Sequence, residues 1–195
     1  MKYAMKVVLN MVLVGICISY QKAHAENIKS MPKKQITVEL DSLPFHDGPG
    51  DKPVTLNKNF LTKILPEVKT PRLMAFTDLG DTDEQNSFFE GGYTFVLRGD
   101  FNKDGFADIA FVGKYDNLDS PENNSFVTII SIKGKKVTRE YFSKTDTPKA
   151  YLLTVLEYKQ KIDAVGLIFN LYSEECGYLF WTGKQYDFEP CQAVF

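Results

Sequence analysis

The stretch Gly99-Asp100-Phe101-Asn102-Lys103-Asp104-Gly105-Phe106-Ala107-Asp108-Ile109-Ala110-Phe111-Val112 decides the reading of this chain. Side-chain oxygens stand at Asp100, Asn102, Asp104 and Asp108, which are positions 1, 3, 5 and 9 of a short loop. Gly105 holds position 6, where a sharp turn needs dihedrals that other residues avoid. Phe106 follows with a backbone carbonyl to offer, while alternation throws Phe101 and Lys103 outward, away from the oxygens. Three carboxylates crowded into one bend repel one another unless a cation lies between them. Hard oxygen donors at this spacing suit Ca2+, which takes about 6–8 oxygens. Nitrogen and sulfur donors are absent, which argues against zinc and copper. An EF-hand needs a glutamate at position 12 and a helix beyond the loop. Here that position is Phe111, and Ile109 to Val112 reads as a strand. The loop therefore announces a β protein.

The run Asp100 to Ala110 resembles the calcium loop of FG-GAP and VCBS-type repeats, as found in integrin α-subunit propellers. The resemblance covers about a dozen residues closely and 93–142 loosely. It implies a loop that joins two β-strands. It also implies Asp100, Asn102, Asp104, the Phe106 carbonyl and Asp108 as ligands of a Ca2+. Because these ligands all come from one loop and no nearby group looks catalytic, the expected role of the ion is structural. Propellers repeat the loop in several blades, whereas this chain carries one copy. At the equivalent place further on, Glu157 to Asp163 keeps one aspartate and lacks the glycine. Two units cannot close a propeller, which needs at least about four blades. A small sandwich or an open sheet of blade-like hairpins is the expected architecture.

Working outward, strand follows strand from Arg72. The segments 72–77, 92–98, 108–113, 125–133, 136–142, 150–158, 164–171, 177–182 and 185–189 are rich in Val, Ile, Phe, Tyr and Thr, with turn residues between them. Short connections imply mainly antiparallel pairing, hence an all-β fold. Two turns look alike, Lys133-Gly134-Lys135-Lys136 and Thr182-Gly183-Lys184-Gln185, so 93–142 and 150–195 read as two related units of one β-rich domain over 26–195. Before them, Ile36 to Leu40 alternates as a short strand, and 44–53 is a Pro/Gly loop. Asn57 is placed to cap one short helix near 58–65, with Leu56, Phe60, Leu61, Ile64 and Leu65 on one face and Pro66 as its stop.

Residues 1–25 read as a secretory signal. Lys2 and Lys6 precede an apolar run from Val7 to Ile18, and Ala23-His24-Ala25 fits a cleavage site before Glu26. The run is shorter than the ~20 residues a membrane span needs. A lipid anchor on Cys17 is disfavoured because Ile16 precedes it where a lipobox places a small residue. Of the chain's 23 basic residues three lie in this segment, so 20 remain against 25 acidic ones, a net charge of −5. Such a balance excludes nucleic acid as the expected partner. No later segment approaches membrane-spanning length. The expected location is periplasmic or extracellular. There, an even number of cysteines favours a disulfide. A hairpin turning on Gly183 and Lys184 sets Cys176 opposite Cys191, within reach of a bridge.

The remaining candidates are weaker. His46, in Pro44-Phe45-His46-Asp47-Gly48, invites a general-base reading, yet no Gly-x-Ser-x-Gly accompanies it. Asp78, Asp81, Asp83 and Glu84 form an acidic cluster, read first as a solvated loop and otherwise as a second weak ion site. Asn123-Asn124-Ser125 is a glycosylation sequon. Trp181, Tyr178, Phe180 and Tyr186 alternate between core and surface on the last hairpin. With no catalytic constellation evident, the expected function is an exported, non-enzymatic module that binds a protein or glycan. The alternatives are a metal-assisted hydrolase built on 78–84 and a purely structural envelope component.

Overall fold

The computed structural model describes residues 36–39, 56–117, 119, 121, 124–145, 147–158, 161–169 and 176–191. The signal segment 1–25, the His46 loop and Asn123 of the sequon lie outside the described residues, as do the side chains of Glu157 to Asp163.

Ten strands and two short helices are described. In chain order they are β1 (Ile36–Glu39), α1 (Lys58–Ile64), β2 (Lys69–Leu73), α2 (Thr82–Glu90), β3 (Val96–Gly99), β4 (Ala107–Asp116), β5 (Ser125–Lys133), β6 (Lys136–Thr145), β7 (Tyr151–Tyr158), β8 (Lys161–Ile168), β9 (Cys176–Trp181) and β10 (Tyr186–Pro190). Every named strand pair is antiparallel. The first sheet has the order β1-β6-β5-β4-β2, and β3 shares the β2 edge of β4. The second sheet runs β10-β9-β8-β7. The ranges read as two units thus each contain a four-stranded meander, β3 to β6 and β7 to β10.

The first sheet is covered on both faces. On one side α1 lays Phe60, Leu61 and Ile64 against Ile109, Phe111, Phe126 and Ile130. On the other, Ala110, Val112, Val127 and Ile129 meet Leu152, Val165, Leu167 and Leu179 of the second sheet. A strand buried on both faces has no reason to alternate with polar residues. That is why Ile109 to Val112, and Phe126 to Ile132 except for Thr128 and Ser131, read as continuous apolar runs. The two sheets are joined at a bridge between Thr94 and Leu152, with backbone hydrogen bonds of 2.9 and 2.8 Å.

Asn57 caps α1 as its sequence requires, its Oδ1 accepting from Asn59 N at 2.7 Å and Phe60 N at 3.3 Å. The second helix corrects the single-helix expectation, because 82–90 is not a solvated loop. Asp81 is its N-cap, with Oδ1 accepting from Glu84 N at 3.0 Å, and Glu84 returns a bond to Gly80 N. The spacing Asp81-Thr82-Asp83-Glu84 is a capping-box pattern, and it was legible as a helix start. In β6 the register slips between Ile129 and Ile130, whose partners are Tyr141 and Arg139, so Glu140 is an extra residue on a β-bulge. Arg139, just before it, faces α1 and makes a bidentate pair with Glu67 at 2.6 Å.

Candidate metal centre

The quoted loop closes the β3–β4 hairpin. Its last ladder pair is Gly99 with Asp108. Gly105 adopts φ +83°, the conformation its position demanded, and Lys103 stands at φ +60°. Each predicted side-chain ligand is held by backbone N–H groups. Asp100 accepts from Asp104 N through Oδ1 and from Gly105 N through Oδ2, both at 3.0 Å. Asn102 Oδ1 accepts from Asp104 N at 3.1 Å. Asp104 Oδ1 accepts from Phe106 N at 2.9 Å, and its Oδ2 accepts from Asn102 Nδ2 at 3.2 Å. Phe101 departs from expectation. It points away from the oxygens but into the inter-sheet core, where it is 6% exposed.

Asp108 is the centre of this arrangement. It is fully buried. Its Oδ2 accepts from Phe101 N at 3.0 Å, Asn102 N at 3.2 Å and the Tyr186 hydroxyl at 3.2 Å. Among the described residues its Oδ1 makes no well-formed hydrogen bond, although Ser131, whose hydroxyl is likewise without one, lies across the ladder close enough to act on the carboxyl. Burial pushes the Asp108 carboxyl above the usual carboxylate range. The surrounding hydroxyls and the Asn102 N–H counter that in part, and the charge of Asp104 adds to it. An unpartnered buried carboxylate oxygen costs free energy unless something else meets it.

Three groups that sequence reading did not connect with the loop also approach it. Tyr186 comes from β10 and ties the second sheet to Asp108; burial and that carboxylate raise its pKa. Lys133, at the end of β5, pairs with Asp104 Oδ2 at 2.8 Å and lies 4.8 Å over the Phe106 ring. This ammonium is the main reason the Asp104 carboxyl lies below its ordinary value. Glu140, the bulged residue of β6, lies close enough to feel the charges of the loop. Burial first, then the charges of Asp108 and Asp104, push its carboxyl up, against Lys133. No local motif could have announced these residues, because they reach the loop from other strands.

Among the described residues, no three His, Cys, Asp or Glu side chains are drawn together as a metal-binding group. The loop carboxylates are instead tied to backbone N–H groups and to Lys133. The donor set is nonetheless suited to a hard cation: it is all oxygen, with one buried carboxylate oxygen left over.

The acidic cluster at 78–84 is occupied with structural contacts. Asp78 makes a bidentate pair with Arg72 at 2.6 Å and accepts from Ala75 N at 2.9 Å. Glu84 is 9% exposed and accepts from Lys149 Nζ and the Tyr151 hydroxyl, both at 2.5 Å. Burial pushes the Glu84 carboxyl up, but Lys149, Tyr151 and Gly80 N–H outweigh it, and the net shift is downward from 4.5. A carboxyl with a depressed folded value stabilises above its unfolded pKa and loses that contribution as pH falls through the folded one. Glu84→Gln is therefore expected to cost about 1–2 kcal/mol at pH 7. In urea melts that gap should be constant above about pH 5 and close toward pH 3. A pH-independent gap would refute the assignment.

At the far hairpin, Tyr186 pairs with Trp181 and Pro190 with Gly177. That is the register which sets Cys176 opposite Cys191. Their Cα atoms are 5.2 Å apart with the sulfurs at disulfide distance, and Cys191 N donates to Cys176 O at 2.9 Å. Tyr186 is buried at 2% exposure, with Trp181 packed edge-on 5.0 Å away. No helix among the described residues is long and apolar enough to cross a membrane. No family model, no curated protein and no solved structure matches the chain.

Proposed function

We propose that this chain is an exported, non-enzymatic β module whose loop holds a structural Ca2+ and which presents a surface to another macromolecule, a protein or a glycan. Asp100, Asn102, Asp104, the Phe106 carbonyl and Asp108 would hold the ion, as in the FG-GAP and VCBS-type loops that the stretch resembles. The observation that carries this reading is Asp108 Oδ1, a fully buried carboxylate oxygen that makes no well-formed hydrogen bond among the described residues. A bound Ca2+ supplies positive charge that relieves the repulsion among the loop carboxylates. The chain's own residues do the rest. Backbone N–H groups orient Asp100, Asn102 and Asp104, and Tyr186 and Phe101 lock the loop against the second sheet.

Export is supported by the signal-like segment 1–25 and by cysteines at bridging distance. An exposed aromatic pair supports the partner. Phe76 and Phe89 are 39% and 65% exposed, with ring centroids 5.1 Å apart. Exposed rings of this kind offer stacking area to a protein or glycan. For the alternative hydrolase, Asp78, Asp81 and Glu84 would first have to leave their ion pair, cap and buried bonds.

A thermal-shift titration from EGTA to about 10 mM Ca2+ tests the proposal. At a hundredfold excess over Kd the folded state gains ~2.7 kcal/mol. For a chain of this size that corresponds to a rise of about 5–10 °C in Tm. Asp104→Ala should show less than half of the rise. Equal melting temperatures in EGTA and Ca2+ would remove the metal from the account.

A further inference from the structure

Lys133 reaches the candidate loop from another strand, and its geometry is specific. It ends β5 at the turn Lys133-Gly134, so the β5–β6 hairpin delivers it. Its Nζ lies 2.8 Å from Asp104 Oδ2, and Phe106 lies beneath it. The contacted oxygen belongs to loop position 5, a predicted ligand. Asp104 has little else to offer, because Oδ1 is taken by Phe106 N and Oδ2 also receives Asn102 Nδ2. An ammonium and a Ca2+ on one carboxylate would lie within a few ångströms of each other and repel.

We propose that Lys133 is the resident counter-ion of the loop: it neutralises Asp104 while no divalent ion is bound and must release that carboxylate when Ca2+ enters. The inference rests on the Ca2+ reading above and adds a regulator to it. Binding becomes an exchange of one cation for another. The β5–β6 turn, which supplies no ligand, then sets the affinity. Because 47% of the Lys133 side chain is exposed, the effect is moderate and weakens with salt.

Two readouts on the purified protein test this. In calorimetric Ca2+ titrations at low ionic strength, Lys133→Met should bind about three- to tenfold more tightly than the parent. Lys135→Met, on the same turn, controls for net charge and should change affinity less than about twofold. Lys133→Arg keeps a cation on Asp104 and should bind no tighter than the parent. Separately, acetylation of lysines by a short-lived reagent, read by peptide mass spectrometry, should label Lys133 severalfold faster in Ca2+ than in EGTA, with Lys135 unchanged. Parent protein that binds Ca2+ while Lys133→Met matches Lys135→Met and Lys133 labelling ignores the ion would overturn the inference alone. Absence of Ca2+ binding by both parent and Lys133→Met overturns the inference together with the metal reading.

Discussion

Asp108→Ala is expected to cost about 3 kcal/mol of unfolding free energy in EGTA and to abolish the Ca2+-dependent rise in Tm. The cost follows from what the carboxylate holds. Phe101 N, Asn102 N and the Tyr186 hydroxyl all donate to Oδ2, in a region closed to water. Alanine leaves three buried donors unmet, each costing about 1–3 kcal/mol. Against this stands a gain, since the charged carboxyl is itself disfavoured by burial. The figure is therefore at the low end of the ~3–9 kcal/mol range for three unmet donors. Asp108→Asn separates the two effects. The amide keeps an acceptor for the donors and removes the charge, so stability in EGTA should stay within about 1 kcal/mol of the parent. The gain from Ca2+ should still be lost. The pH dependence has a defined sign. A carboxyl raised in the folded state binds its proton more readily there, so its native form gains as pH falls toward the unfolded value near 3.8. In EGTA, the parent should thus improve relative to Asp108→Asn as pH drops from 7 toward 4, as measured by urea midpoints. If Asp108→Asn retains the full Ca2+ response, Asp108 is not a ligand.

Cys176→Ser combined with Cys191→Ser should cost ~3 kcal/mol, the chain-entropy value for a loop of about this length. The separation of 15 residues sets that scale. The loss should be local before it is global. Among the described strands β10 pairs only with β9, and the cross-link holds its far end. Hydrogen exchange should therefore accelerate in β9 and β10 first, with β4 and β5 still protected. A second consequence runs through Tyr186, which sits in β10 with its hydroxyl on Asp108. Fraying of β10 unseats that donor, so the serine variant should also bind Ca2+ more weakly. Uniform loss of protection across both sheets would show that the bridge stabilises only through the unfolded chain.

Much of the fold was readable residue by residue. Asn57 before an apolar helical face, with Pro66 behind it, marked α1. Val, Ile and aromatic runs marked the strands to within a few residues, because β-branched and aromatic side chains suit a pleated surface. The turn at Gly183-Lys184 gave the register of the last hairpin and so the position of the cysteine pair. The helix α2 is harder to see in the sequence, because its acidic first turn has the composition of a solvated charge run. The capping pattern Asp81 to Glu84 carried the opposite message, and Phe88 supplies the buried anchor against Tyr151.

The candidate site divides along the same line. Its five loop donors, its glycine and its flanking strands are contiguous, and local spacing specifies a local bend. Lys133, Glu140, Tyr186 and Ser131 arrive from β5, β6 and β10, and their approach depends on strand register and on one bulged residue. Neither leaves a periodic trace in the sequence. The sequence by itself determined a β–loop–β unit rich in hard oxygens and the partner of each cysteine. Only the tertiary structure decided that Asp108 is the buried carboxylate, that Lys133 meets Asp104, and that Phe101 turns inward. Burial and charge proximity are properties of chains brought together across many residues, and no short stretch encodes them.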